Sequence, residues 1–362
     1  MKILTVVGAR PQFIKAAPVR RALESAGHTE ILVHTGQHYD DALSAAQFRD
    51  LELVSPQINL GIGSGRHGAQ TARMLTGLED FILEQAPDWV LVYGDTNSTL
   101  AGALAAAKLR VPVAHVEAGL RSYNRCMPEE INRVVIDHLS DLLLCSTPTA
   151  VANLTAEGIR SNVHMVGDVM IDALAWMLTR THVPGARARL GLAAGSYLLV
   201  TIHRAENTDD AERLRTILME LNDLNEPVIF PVHPRTRRVL DDLAWLPAPH
   251  VQVIEPVGYR DMIELERDAR MILTDSGGMQ KEAYFLGVPC VILRNETEWV
   301  EIVEAGWAVV TGADGDRIRS AVRGFQPQSV RAPLHGDGDA ARRCVVHLEQ
   351  TVRDATRARS AR

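Results

Sequence analysis

The chain has 362 residues, 38 basic and 45 acidic side chains, a formal charge of −7 and a 46% hydrophobic fraction. Such a length suits two domains better than one core. The acidic balance, with bases interspersed among acids, excludes a general nucleic-acid surface but leaves room for a local anion pocket.

No apolar run approaches the roughly 20 residues that span a bilayer. The apolar stretch after Lys2 ends at Arg10, too short for a secretory signal core. Cys126, Cys145, Cys290 and Cys344 lie far apart and form no CxxC pair. They read as reduced thiols of a cytoplasmic protein rather than as a disulfide or zinc framework, with no membrane contact expected.

From the N-terminus, β-branched runs at 3–7, 31–35, 89–93, 111–116, 142–145 and 163–166 alternate with amphipathic stretches at 18–26, 69–84, 96–109 and 131–140. Repeated βα units of this kind predict a mostly parallel, doubly wound sheet. A helical segment at 172–180 leads into THVPGARARLGLAAG, which has no apolar period. A second array follows, with strands predicted at 197–202, 228–232, 251–254, 271–274, 288–293 and 308–310. The expected organisation is an N-terminal Rossmann-like domain over 1–172, a linker over 173–196 and a C-terminal Rossmann-like domain over 197–338. A helix over 339–362 is expected to pack across the hinge.

Charged residues cluster where strands give way to loops. Arg10 and Lys15 flank the first helix start, which suits a phosphate; two solvated cations would look the same. The run HTGQH places His34 and His38 at metal-ligand spacing, but the intervening glycine and the lack of an acidic third ligand favour pocket lining over metal. Asp95, after WVLVY, is either a helix cap or a functional acid. One helix and one strand later comes HVEAGLRSYNRCMPEEINR, dense in charge at Glu117, Arg121, Glu129, Glu130 and Arg133. If the strands ending at Asp95 and Glu117 are neighbours, their carboxylates lie roughly 5–10 Å apart and disturb each other's ionisation. Glu129 and Glu130 also fit plain helix-dipole decoration.

In the second array His203 and Arg204 end one strand, and His233 and Arg235 end the next. Two basic strand ends suit an anion, with a structural histidine as the alternative. The sharpest motif is TDSGGMQKEA. Its small residues let the amides of Ser276, Gly277 and Gly278 approach a diphosphate at a helix N-terminus, with Glu282 one turn on for ribose hydroxyls. A tight strand–helix turn is the alternative here.

In order along the chain, GARPxxIKxxPV, TGQH, GDTxST, HVEAGLRS, PEEINR, HRxEN, HPRT, DSGGxQxEA and RxxTE resemble the non-hydrolysing UDP-N-acetylglucosamine 2-epimerase family, from Lys2 to about Gly312. The resemblance implies a glycosyltransferase-B-like pair of Rossmann domains, an active site in the interdomain cleft, a homodimer and no added cofactor or metal. It implies inversion at C2 of a UDP-linked N-acetylhexosamine. It puts Asp95, Glu117, Glu129 and His203 at catalytic positions, and Arg10, Lys15, His203, Ser276, Gly277, Gly278 and Glu282 at UDP-binding ones. Gln37, His38, His233 and Arg294 are candidates for a second site or for the cleft. Gln12, Lys281 and Trp299 stand where Glu, Glu and Arg are commoner, a net charge change of +2. GARPQF, DSGGMQKEA and TEWVE resemble the branch acting on UDP-2,3-diacetamido-2,3-dideoxy-glucuronate, an anionic sugar that a more positive site would favour. A glycosyltransferase on the same fold is the rival reading, disfavoured by three site carboxylates.

Overall fold

The computed structural model describes residues 1–37, 51–53, 56–180, 185–327, 330–334 and 336–360. Two compact units result, Met1–Trp176 with His335–Arg362 and Met177–Leu334.

The first unit holds β1 (Lys2–Val7), β2 (Thr29–His34), β3 (Ile58–Asn59), β4 (Trp89–Tyr93), β5 (Val113–Ala118), β6 (Leu142–Cys145) and β7 (Val163–Met165). Their order is β3-β2-β1-β4-β5-β6-β7 and every pairing is parallel. The second unit holds β8 (Leu198–Thr201), β9 (Val228–Pro231), β10 (Val251–Ile254), β11 (Met271–Thr274), β12 (Cys290–Ile292) and β13 (Ala308–Val310). These are also all parallel, in the order β10-β9-β8-β11-β12-β13. Both sheets are doubly wound. Chain order reverses between β1 and β4 in one and between β8 and β11 in the other, where such sheets open a crevice beyond their carboxyl ends.

The central strands form where buried aliphatics run nearly without interruption. Ile3, Leu4, Val6, Val7, Val90, Leu91 and Val92 are fully buried in the first sheet, and Leu198, Leu199, Val200, Met271, Ile272 and Leu273 in the second. Two boundaries differ from the sequence reading in an informative way. The first helix runs Arg10–Ser25, with Pro11 in its opening turn and Pro18 inside it, so Pro18 is a tolerated interruption and not the start. β5 extends to Ala118 because pairing resumes beyond a register shift between Val116 and Ala118.

The last helix, Ala340–Ser360, groups with the first unit. Ala340, Ala341, Cys344, Val345 and Leu348 are its buried side. Asp172 accepts the Ala340 and Ala341 amides at 3.3 and 2.8 Å, which caps the helix start. Among the described residues no helix is long and apolar enough to cross a membrane.

One buried acid makes the first unit pH-sensitive. Glu30 on β2 accepts the Thr5 hydroxyl at 2.6 Å, and burial pushes its carboxyl up to about 7 from the ordinary 4.5, only partly offset by Thr5 and Arg20. A raised folded pKa means that the stabilising contribution is complete below about 4.5 and is lost as pH climbs through 7. Relative to Glu30→Gln, the native chain should therefore lose on the order of 2 kcal/mol between pH 5 and 7.5. Urea midpoints of both proteins across that range measure the gap, and parallel curves would contradict it.

Candidate active site

In the first unit the candidate groups gather at the carboxyl ends of β1, β4 and β5. β4 and β5 are neighbours, with Val92 beside His115 and Tyr93 beside Val116. Glu117 sits at the register shift with φ +71°, a left-handed backbone that costs a side-chain-bearing residue about 1–3 kcal/mol. Its buried Oε2 is ion-paired with Lys15 Nζ, one turn into the helix after β1. Gly94, at φ +62°, leaves room for that pair: a Cβ there would stand 3.2 Å from Lys15 Nζ and 3.6 Å from Glu117 Oε2. Asp95 has a different cation. The Arg133 guanidinium donates to its Oδ2 at 2.7–2.8 Å, and Asn132 donates to its backbone carbonyl at 2.8 Å.

The loop between β5 and helix Pro128–Leu139 is held by buried ionic contacts. Glu130 accepts the Ser122 and Tyr123 amides, both at 2.9 Å, and the Arg133 guanidinium at 2.8 Å. Burial pushes the Glu130 carboxyl up, but these donors outweigh it and hold it below the ordinary value. Glu130 is thus committed to the loop, whereas Glu129 beside it is only half-buried. Asp137 anchors the other side. It accepts from His115 Nδ1 at 2.7 Å and Arg121 Nη1 at 2.7 Å, and at 3.2 Å from the Gly119 amide. Burial raises its pKa, yet His115 and Arg121 more than offset that and lower it overall. The other nitrogen of His115 meets the Gly94 carbonyl at 2.8 Å, tying the end of β4 to β5.

In the second unit β8 and β11, paired at the reversal, lead into His203 and Asp275. Ser276 caps helix Gly277–Leu286, its hydroxyl accepting the Met279 amide at 3.4 Å. Gly277 and Gly278 open that helix, so their amides face the N-terminal, anion-attracting end. A Cβ on Gly277 would lie 3.3 Å from the Trp299 indole nitrogen, so the turn is built for a residue without one. Glu282 is buried and accepts the Tyr259 hydroxyl at 2.8 Å. His203 has a 45% exposed side chain, with Nδ1 at 3.2 Å from the fully buried Asp275 carboxylate.

This arrangement has close relatives. The sequence profile of the family described as UDP-N-acetylglucosamine 2-epimerase matches residues 21–349. A homologue of that enzyme from Methanococcus maripaludis is 51% identical over 91% of this chain and 94% of its own. The chain belongs to the UDP-N-acetylglucosamine 2-epimerase family. The UDP-2,3-diacetamido-2,3-dideoxy-D-glucuronate 2-epimerase of Pseudomonas aeruginosa is 49% identical over 96% of this chain and 99% of its own. The crystal structure of Methanocaldococcus jannaschii UDP-GlcNAc 2-epimerase, solved with UDP-GlcNAc and UDP, superposes with a TM-score of 0.91 at 41% identity, covering 97% of this chain and 100% of that one. The fold is accordingly a pair of Rossmann-like units of the glycosyltransferase-B type, and the protein is an isomerase.

Within the epimerase the remaining candidates scatter. Arg10 opens the first helix, but its side chain lies outside the described residues, as does the whole of His38. Gln37 Oε1 accepts from the Ser98 amide and hydroxyl at 3.0 and 2.6 Å. His233 is exposed just beyond the end of β9. Arg294 is buried and donates to both oxygens of Glu298, at 2.9 and 3.1 Å.

Gln12, Lys281 and Trp299, the three unusual positions, are all buried. The Gln12 oxygen accepts the Gly8 and Ala9 amides and its nitrogen donates to the Tyr93 carbonyl and Thr99 hydroxyl, all within 3.0 Å. A carboxylate could not make those two donations. Lys281 is 1% exposed and lies over the Trp299 ring, 4.1 Å from its centroid. Two of the three departures are therefore one exchange, in which a commoner acid and base give way to a cation on an aromatic face.

Several residues escaped the sequence reading as site components. Asp137 and Asn132 carry no local signal that sets them apart on their helix, and Arg133 pairs with Glu130 at a visible i, i+3 spacing. Its reach to Asp95 depends on which strands are adjacent. Asp275 opens the DSGG motif, and its partner His203 lies 72 positions earlier in the sequence.

Proposed function

We propose that this epimerase inverts C2 of a UDP-linked N-acetylhexosamine, UDP-GlcNAc to UDP-ManNAc, by eliminating and re-adding UDP. The observation that carries the reading is Glu117, a buried carboxylate on strained backbone at a strand's carboxyl end, fixed by Lys15. The C2 proton has no adjacent carbonyl, so its removal to a free carbanion is prohibitive. When a carboxylate takes that proton, the C2–H electron pair forms the C1–C2 double bond and the C1–O bond breaks toward UDP. The product is a 2-acetamidoglucal. Protonation of the opposite face of C2 and return of UDP oxygen to C1 complete the inversion.

Glu117, Glu129 and Asp95 are assigned to proton transfer in the first unit. His203, Ser276, Gly277, Gly278 and Glu282 are assigned to UDP in the second, with Arg10 and Lys15 supplying cationic charge. The departing diphosphate draws on preorganised amides and cations, and each acid or base contributes about 10²–10⁴ in rate.

The same reaction on UDP-2,3-diacetamido-2,3-dideoxy-glucuronate is the second reading, supported by the 49% identical Pseudomonas aeruginosa enzyme. Incubation with each sugar nucleotide in D₂O, followed by proton NMR, separates the two. The substrate should acquire deuterium at C2 with the UDP bond intact. Free sugar plus UDP, or no exchange with either compound, would overturn the reading.

We also assign the protein to the cytoplasm, where its four free cysteines stay reduced, and to a homodimer. Support for the dimer comes from helix Pro128–Leu139, which exposes Ile131, Val134 and Val135 (49, 36 and 38%) as one i, i+3, i+4 stripe. Light scattering should give a dimer for the native chain and a monomer for Ile131→Glu. A native monomer at micromolar concentration would sink the assignment.

A further inference from the structure

We propose that Asp275 is the positioning residue for His203, presenting Nε2 of that imidazole to the sugar nucleotide by holding Nδ1. The inference rests on the placing of His203 in the UDP site, and concerns how the second unit prepares that side chain.

Asp275 follows β11 and is 0% exposed. A lone buried carboxylate is costly unless every oxygen is satisfied. Here the donors all come from one short segment after β8. The His203 amide donates to both oxygens at 3.1 Å, the Arg204 amide to Oδ2 at 3.0 Å, and the Asn207 side chain to Oδ2 at 3.0 Å. The His203 ring adds its Nδ1 at 3.2 Å from Oδ1. Asn207 is locked in turn, since its amide nitrogen donates to the Leu293 carbonyl at 2.9 Å and its oxygen accepts Arg213 Nε at 2.6 Å.

One carboxylate therefore accepts the backbone amide of His203 and also stands 3.2 Å from the Nδ1 of its ring. The backbone contacts fix where the histidine stands, and a carboxylate this near Nδ1 favours the neutral form that carries its proton there. An aspartate that fills only a turn has no need of the ring. An acceptor beside Nδ1 favours the Nδ1–H tautomer and leaves Nε2 of this half-exposed side chain as the nitrogen that meets ligand. The carboxylate behind the ring also complements any positive charge on the imidazole that faces a diphosphate. This is the orienting role a carboxylate plays behind any working histidine.

The test uses the full-length protein. With ¹⁵N-histidine at about pH 8, above the ordinary titration range of imidazole, and the His203 signals identified by their loss in His203→Gln, native His203 should show a protonated Nδ1 and a bare Nε2. A protonated Nε2 would overturn the proposal, and this readout needs no change at Asp275. A double-mutant cycle gives the second readout. Asp275→Asn should lower kcat/KM at least tenfold in the native background and less than twofold in His203→Gln. An equal loss in both backgrounds would make Asp275 merely structural. Full activity in His203→Gln would instead remove His203 from the site, and the tautomer measurement would still decide the positioning claim.

Discussion

Glu117→Gln should abolish exchange of the C2 proton, with a fall of about 10³-fold or more, while UDP affinity stays within about threefold. The amide keeps the shape of the side chain but cannot take a proton at the reacting carbon. The native carboxylate is buried, ion-paired with Lys15 and carried on backbone at φ +71°. Such strain persists only where surrounding contacts over-determine it, and here they are the β5 register shift and the pocket left by Gly94. Calorimetric titration with UDP separates chemistry from binding, because the residues assigned to UDP in the second unit are untouched. A collapse of UDP binding would make Glu117 a structural residue.

Asp137→Ala should cost about 3–5 kcal/mol of stability, the loss expected when one partner of a buried ionic network is removed. Two buried side chains, His115 and Arg121, converge on Asp137, and the Gly119 amide adds a third contact. Arg121 would keep Glu157 through a two-armed contact at 2.6 and 2.7 Å, so the loop should loosen on its Asp137 side first. His115 would keep only the Gly94 carbonyl. Urea unfolding at an unchanged m-value measures the loss. A change below about 1 kcal/mol would mean that the network is replaceable by packing alone.

The fold was legible because most of its strands are short, nearly uninterrupted aliphatic runs, and because several of them are followed by a helix long enough to make a parallel crossover. Strand order was not legible. Placing β4 beside β1, and β11 beside β8, requires tertiary pairing that no local pattern encodes, and those adjacencies create both crevices. The end of β5 was misplaced for a related reason. The apolar run stops at Glu117, yet the backbone pairs again at Ala118 with Cys145.

Within the site, residues at strand ends stood out by their charge. The residues that hold them did not. Arg133 on Asp95, Asp137 on His115 and Asp275 on His203 act across 38, 22 and 72 positions of sequence. The local partners of the unusual Gln12 and Lys281 were not legible either: Gln12 makes four hydrogen bonds at the helix start, and Lys281 lies on an indole face.

Elimination of UDP and its return is the central claim, and positional isotope exchange tests it most directly. UDP-GlcNAc carrying ¹⁸O in the bond between C1 and the β-phosphate is incubated with the protein and followed by phosphorus NMR. If UDP leaves and returns, the label should appear in the non-bridging β-phosphate oxygens on the timescale of epimerisation. Epimerisation with deuterium entering C2 while the label stays in the bridge would contradict the account.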